Sequence, residues 1–170
     1  MKTFAEIDPL TIKQHPDVVG SIVRYDKPEQ TFYILLQDEY ILIAVCDYFT
    51  NKRTKVSKWL TAQLEMPKAG LPWIVKTIEN KFFKLSHEGG LPKGVFQYSE
   101  FVEGEELGID RLMGLGTKEN SEAGYEISTH SRLDEDDMSH YLNFTDSFLF
   151  DHGLLDLFKE VAQKIDSGEL

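Results

Sequence analysis

The stretch TFYILLQDEYILIAVCDYF, residues 31–49, decides how this chain folds. It contains no Gly or Pro, is dense in β-branched and aromatic residues, and has one polar break at Gln37-Asp38-Glu39, so it reads as a β-hairpin. Alternation places Phe32, Ile34 and Leu36 on one face of the first arm and Tyr33 and Leu35 on the other. The second arm divides in the same way into Ile41, Ile43, Val45 and Leu42, Ala44, Cys46. A strand with one solvated face alternates with polar residues, and these arms do not. The hairpin is therefore expected at the centre of a sheet covered on both sides, with Ile34, Leu36, Ile43 and Val45 buried.

Upstream, residues 18–25 (VVGSIVRY) read as a strand and Asp26-Lys27-Pro28-Glu29 as a turn, which makes an antiparallel meander of three strands. Residues 2–15 carry Phe4, Ile7 and Leu10 at helical spacing around Pro9, and a short helix or an irregular arm fit equally. Downstream, Thr54 or Ser57 can cap a short helix bearing Val56, Trp59, Leu60 and Leu64, ended by Pro67. A second helix runs from Pro72 to Phe83 with the stripe Leu71, Ile74, Ile78, Phe82 and Leu85.

Beyond a glycine-rich loop at 87–94, residues 95–102 resume as a strand, and 105–116 fit either a strand or one helical turn. Residues 125–133 read as a strand with one wet face. The acidic run 134–137 suits a helix start, followed by Met138, Tyr141 and Leu142 in a short helical pattern. A last strand over 143–150 and a helix over 152–165 complete the chain. The expected fold class is α+β, with an antiparallel sheet built from the N-terminal three-stranded meander plus later strands and helices packed on it, in one domain over 1–170. Both halves run strands then helix, without a residue-level repeat.

With 41% hydrophobic and 28% charged residues among 170, the composition is that of a soluble globular protein. No apolar run approaches the roughly 18 residues that span a bilayer, so no membrane association is expected. The acidic N-terminus does not resemble a secretory leader, which places the chain in the cytoplasm. A single cysteine, Cys46, excludes an internal disulfide framework and a Cys-rich zinc site.

The net charge of −11 is unevenly spread. Residues 1–85 hold 12 Lys and Arg against 10 Asp and Glu, whereas residues 86–170 hold 6 against 19. Residues 100–137 alone carry 12 acids against Arg111, Lys118 and Arg132. Glu103, Glu105, Glu106, Asp134, Asp136 and Asp137 are therefore the candidate contacts for a basic protein partner, steered by an outward negative field. If the fold instead brings the cluster Lys52, Arg53, Lys55 and Lys58 against that segment, the charge is neutralised internally. The same cluster, beside Tyr48, Phe49 and Trp59, is the candidate surface for single-stranded nucleic acid, which an acidic chain otherwise repels.

Motifs for named reactions fail. The G-x₄-G spacing of Gly89–Gly94 is followed by Val95-Phe96 where a phosphate loop needs Lys and Ser or Thr. Gly114-Leu115-Gly116 lacks the third glycine of a dinucleotide site. Asp136, Asp137 and His140 would share a helical face, but the run matches no calcium loop and helix-end electrostatics explain it, so no metal or cofactor is expected. Cys46 sits in an apolar strand that disfavours a thiolate. If the chain is an enzyme, His87 and Glu88 are its acid/base candidates, and a pocket between the helix at 72–83 and the sheet is its site.

In element order, size and charge the chain resembles small acidic α/β secretion chaperones, and the resemblance implies a dimer that binds a partner polypeptide. The functional expectation is a non-catalytic macromolecule-binding module.

Overall fold

A computed structural model describes residues 1–133 and 139–170. The hairpin is the middle of a four-stranded antiparallel meander, β1 (Val18–Val23), β2 (Gln30–Gln37), β3 (Tyr40–Thr50) and β4 (Ser57–Pro67), in that spatial order. The two-residue turn between β2 and β3 has Asp38 at φ 54°, a left-handed conformation that Asp tolerates. Its register pairs Phe32 with Val45, Ile34 with Ile43 and Leu36 with Ile41.

Both faces are covered, as the alternation requires. Phe32, Ile34, Ile41, Ile43, Val45, Leu64 and Met66 join the main core, and Leu36, at the hairpin end, packs against it only partly buried. The opposite face, Tyr33, Leu35, Leu42, Ala44 and Cys46, is closed by Ile7 and Ile12 of the N-terminal segment, with Phe4 packed beside them. That segment is irregular apart from one 3₁₀ turn at Ile12–Gln14.

The strand β4 replaces the helix expected from Thr54 or Ser57 to Pro67. Val56, Trp59, Leu60 and Leu64 do stand three to four residues apart, but an unpaired edge on β3 offers eleven residues of backbone ladder. Leu64 and Met66, two apart, deliver the burial at its far end. The helix α1 (Gly70–Thr77) follows, continued by a π-helical turn at Ile78–Phe82.

The second half repeats this topology: a meander of β5 (Gln97–Val102), β6 (Glu105–Gly116), β7 (Ser121–Leu133) and β8 (Ser139–Thr145), then α2 (Leu154–Asp166). Residues 105–116 are thus a strand, and the polar segment 117–124 mostly belongs to the β6–β7 hairpin. Tyr141 and Leu142 lie in β8 with Tyr141 exposed and Leu142 buried, the period of a strand and not of the short helix expected there. The proposed acidic helix start at 134–137 lies outside the described residues.

The two meanders share one core. Leu107, Ile109, Tyr125, Ile127, Leu142 and Phe144 of the second sheet face the same cluster as Ile34 and Ile43 of the first, and α1 packs on α2. The second helix also lies on β1, where Gly20 admits Leu157: a Cβ there would stand 2.8 Å from its Cδ1. Among the described residues, no helix is long and apolar enough to cross a membrane.

Candidate functional site

Two surface features stand apart from this packing. The first is the far end of the β3–β4 hairpin. Pairing of β2 with β3 stops at Gln30–Asp47, whereas β3 and β4 continue through Tyr48–Trp59, Phe49–Lys58 and Thr50–Ser57. Three residue pairs and a turn therefore continue beyond the four-stranded ladder as a two-stranded arm, tied back at its base by the Tyr48 N–H donating to the Glu29 carbonyl at 3.3 Å. Tyr48, Phe49 and Trp59 are 46%, 42% and 41% exposed, with Val56 and Leu60 exposed beside them. A sheet interior would have hidden them.

The arm is preformed. Lys27 and Asp47 pair at its base at 2.6 Å, and the Tyr48 and Trp59 rings pack at 5.2 Å between centroids. At the tip the Asn51 side-chain oxygen accepts the N–H groups of Arg53 and Thr54 at 2.9 and 3.0 Å, and the Asn51 and Val56 backbones close the turn. Little ordering is left to be done on binding, which lowers the entropic cost of using this surface. Lys52, Arg53, Lys55 and Lys58 all cluster here, exposed, and among the described residues none of them forms an ion pair. The internal neutralisation of the acidic segment by this cluster is therefore not found among the described residues.

The second feature is the outer face of the second sheet. Register lays its side chains on a grid: Phe101 opposite Glu106 in one row with His130 nearby, Ser99, Gly108, Ser128 and Tyr141 in the next, Gln97, Asp110, Glu126 and Asn143 in the third. Gly108 sits at the centre, where neighbouring side chains close in on its Cα. A Cβ there would come within 2.8 Å of the His130 ring and 2.9 Å of Ser128 Oγ. Beside it opens a hollow of about 360 Å³ lined by Gln97, Tyr98, Ser99, Gly108, Asp110 and His130.

Around it, Ser128 Oγ and His130 Nε2 share a hydrogen bond at 2.8 Å, Ser99 Oγ donates to Glu106 Oε1 at 2.9 Å, and His130 Nδ1 stands 3.6 Å from the same oxygen. Asp110 and Glu126 are direct cross-strand neighbours, a like-charge placement that opposes sheet pairing. Burial, and then the Asp110 carboxylate, push the Glu126 carboxyl above its ordinary value, with Asn143 opposing. Among the described residues neither acid forms an ion pair.

The acidic candidates separate in space. Glu103 is exposed at the β5–β6 turn, at φ 49°, and Glu106 is half-buried on the outer face. Glu105 is a correction: it is 5% exposed and pairs with Arg132, itself 4% exposed, at 2.7 and 2.9 Å. Arg132 also bonds Glu65 at 2.6 Å and the Lys2 carbonyl at 2.7 Å, tying β4, β6, β7 and the N-terminal segment together. A carboxylate so held has no charge to offer a partner. Asp134, Asp136 and Asp137 lie outside the described residues. His140 is in β8, so the helical face it was to share with them does not include it.

His87 and Glu88 lie exposed in a 3₁₀ turn at Ser86–Glu88, where Glu88 accepts the Leu85 N–H at 3.3 Å, a turn-closing role. Leu71 and Ile74 of α1 and Ile78 of the following turn are fully buried, so the expected pocket between helix and sheet is closed along that stretch, and among the described residues it is found only at the end of the helix, where Lys81, Phe82, Arg111 and Tyr125 line a hollow of about 210 Å³. A second hollow, of about 290 Å³, opens between α1 and α2, lined by Pro72, Val75, Lys76, Glu79, Lys159, Ala162, Gln163 and Asp166. The outer-face grid is not visible along the sequence because its members come from four strands. No family model matches the chain, and no curated protein matches it.

Proposed function

We propose that this protein is a non-catalytic module that binds another protein, and that the β3–β4 arm is the surface it uses. The observation behind this reading is the arm itself. Tyr, Trp and Arg are the side chains that dominate binding energy when desolvated at an interface, and five exposed apolar residues on a short rigid ribbon have no role in the fold that requires them to be wet. The four cations at its tip define the partner surface as acidic, with an apolar recess for the aromatics.

The test is a photo-crosslinking amino acid placed at Phe49 and, as a control, at Glu160 on the exposed side of α2, in the cells that make the protein. The expected result is a polypeptide adduct at position 49 that disappears in a K52E/R53E/K55E background with the thermal midpoint unchanged. Equal capture at both positions refutes the reading. A second reading, single-stranded nucleic acid on the same arm, is favoured by the exposure of Tyr48, Phe49 and Trp59, since stacking needs free ring faces. Retention on an oligonucleotide column, lost with W59A, would select it.

A further inference from the structure

The arm and the outer-face hollow are complementary to each other. One is a rigid projection with four cations and exposed aromatics. The other is a recess with Asp110 in its lining and Glu126 directly across the strand pair from Asp110, although like charges in that arrangement are unfavourable. The intramolecular pairing that would neutralise both is not made among the described residues. We propose that the two features meet between molecules: the arm of one copy docks in the Gly108 hollow of a second copy, and the second arm returns the contact, closing a two-fold dimer.

This rests on the reading of the arm as a protein-binding surface and names its partner as the same chain. The chemistry fits at each position. Asp110 and Glu126 gain the cation that their side-by-side placement lacks, and Trp59 or Tyr48 of the arm lies over the hollow beside Gly108 and His130. Reciprocity doubles a contact that is small when made once, and it satisfies both arms, whereas a one-way contact would propagate into open chains. Burial of the Asp110–Glu126 pair against lysine and arginine makes the association strongest at low ionic strength, because screening over about 8 Å at physiological salt weakens exposed charges.

The experiment is sedimentation velocity on the full chain at about 50 mM and about 500 mM salt, chosen to bracket the screening range. Wild type is expected to dimerise at low salt and to weaken roughly tenfold or more at high salt. The K52E/R53E/K55E and D110K/E126K variants are each expected to be monomeric, and their equimolar mixture to restore a dimer, since each reversed arm then meets a reversed hollow. The D110N/E126Q variant, which removes charge without adding it, is expected to weaken the dimer even if D110K/E126K fails to fold.

A wild-type monomer at low salt, a dimer that survives both variants, or chains that lengthen with concentration overturns the proposal. If wild type is monomeric while the crosslinker at Phe49 still captures another polypeptide, the self-association falls and the arm reading stands. If the arm variant still dimerises and position 49 captures nothing beyond position 160, both fall.

Discussion

Replacing Arg132 by Met should be among the most destabilising single changes in this protein. The guanidinium makes two hydrogen bonds to Glu105 at 2.7 and 2.9 Å, one to Glu65 at 2.6 Å and one to the Lys2 carbonyl at 2.7 Å. All three charged side chains are under 10% exposed, and two acids face one base. Met preserves much of the length but donates nothing, so two carboxylates and a carbonyl are left in a nearly dry site. Breaking a buried pair in this way costs about 3–5 kcal/mol, most of it the desolvation of the stranded partners.

For a chain of this size each kcal/mol moves the thermal midpoint by about 2–4 °C, so the variant should melt roughly 6–20 °C lower. Urea titration with an unchanged slope would confirm that the native state and not the unfolded ensemble has changed. The same reasoning requires that the all-apolar R132M/E65L/E105L variant recover most of the loss, because buried ion triads contribute little net stability over well-packed hydrophobes. An R132M variant within about 1 kcal/mol of wild type, or a triple variant no better than the single one, would show that the triad is solvated and refute the argument.

Glu126 should be a stability liability at neutral pH. Its carboxyl is pushed up by burial and then by Asp110, so the stability present when it is protonated is lost as pH rises from its unfolded value of about 4.3 through the raised folded one. Glu126→Gln should therefore raise the urea midpoint at pH 7 and gain nothing below about pH 4, and an equal gain at both would discount the electrostatic cause. Burial likewise pushes the Cys46 thiol up, so the native state favours the thiol and stability should fall once pH passes the unfolded value of about 8.5. A disulfide reagent at pH 8 should label Cys46 only at the rate of unfolding, and fast labelling without denaturant would contradict its place under the N-terminal segment.

The sequence by itself determined the centre of the fold. In residues 31–49 both periods of two are apolar, and because a strand alternates its side chains strictly, the two faces and the need to cover both follow from the pattern alone, while the α+β class follows from the order of strands and helices along the chain. It also determined the position of the two helices, where α1 and α2 carry full apolar stripes at helical spacing.

Only the tertiary structure decided the rest, and for an identifiable reason in each case. The β4 segment contains apolar residues at a spacing common to both periods, so the missing hydrogen-bond partner on β3 chose the strand, and the absence of a covering layer beyond Asp47 left Trp59 and Leu60 wet. Glu105 looks like its acidic neighbours in sequence, and what hides it is Arg132, 27 residues on, with Glu65 reaching in from the other sheet. The outer-face hollow needs Gly108 beside Ser128 and His130, a juxtaposition set by register between strands. Pattern is local and can be read along the chain; charge pairing and exposure depend on which segments meet, and that is settled only when the two meanders close on one core.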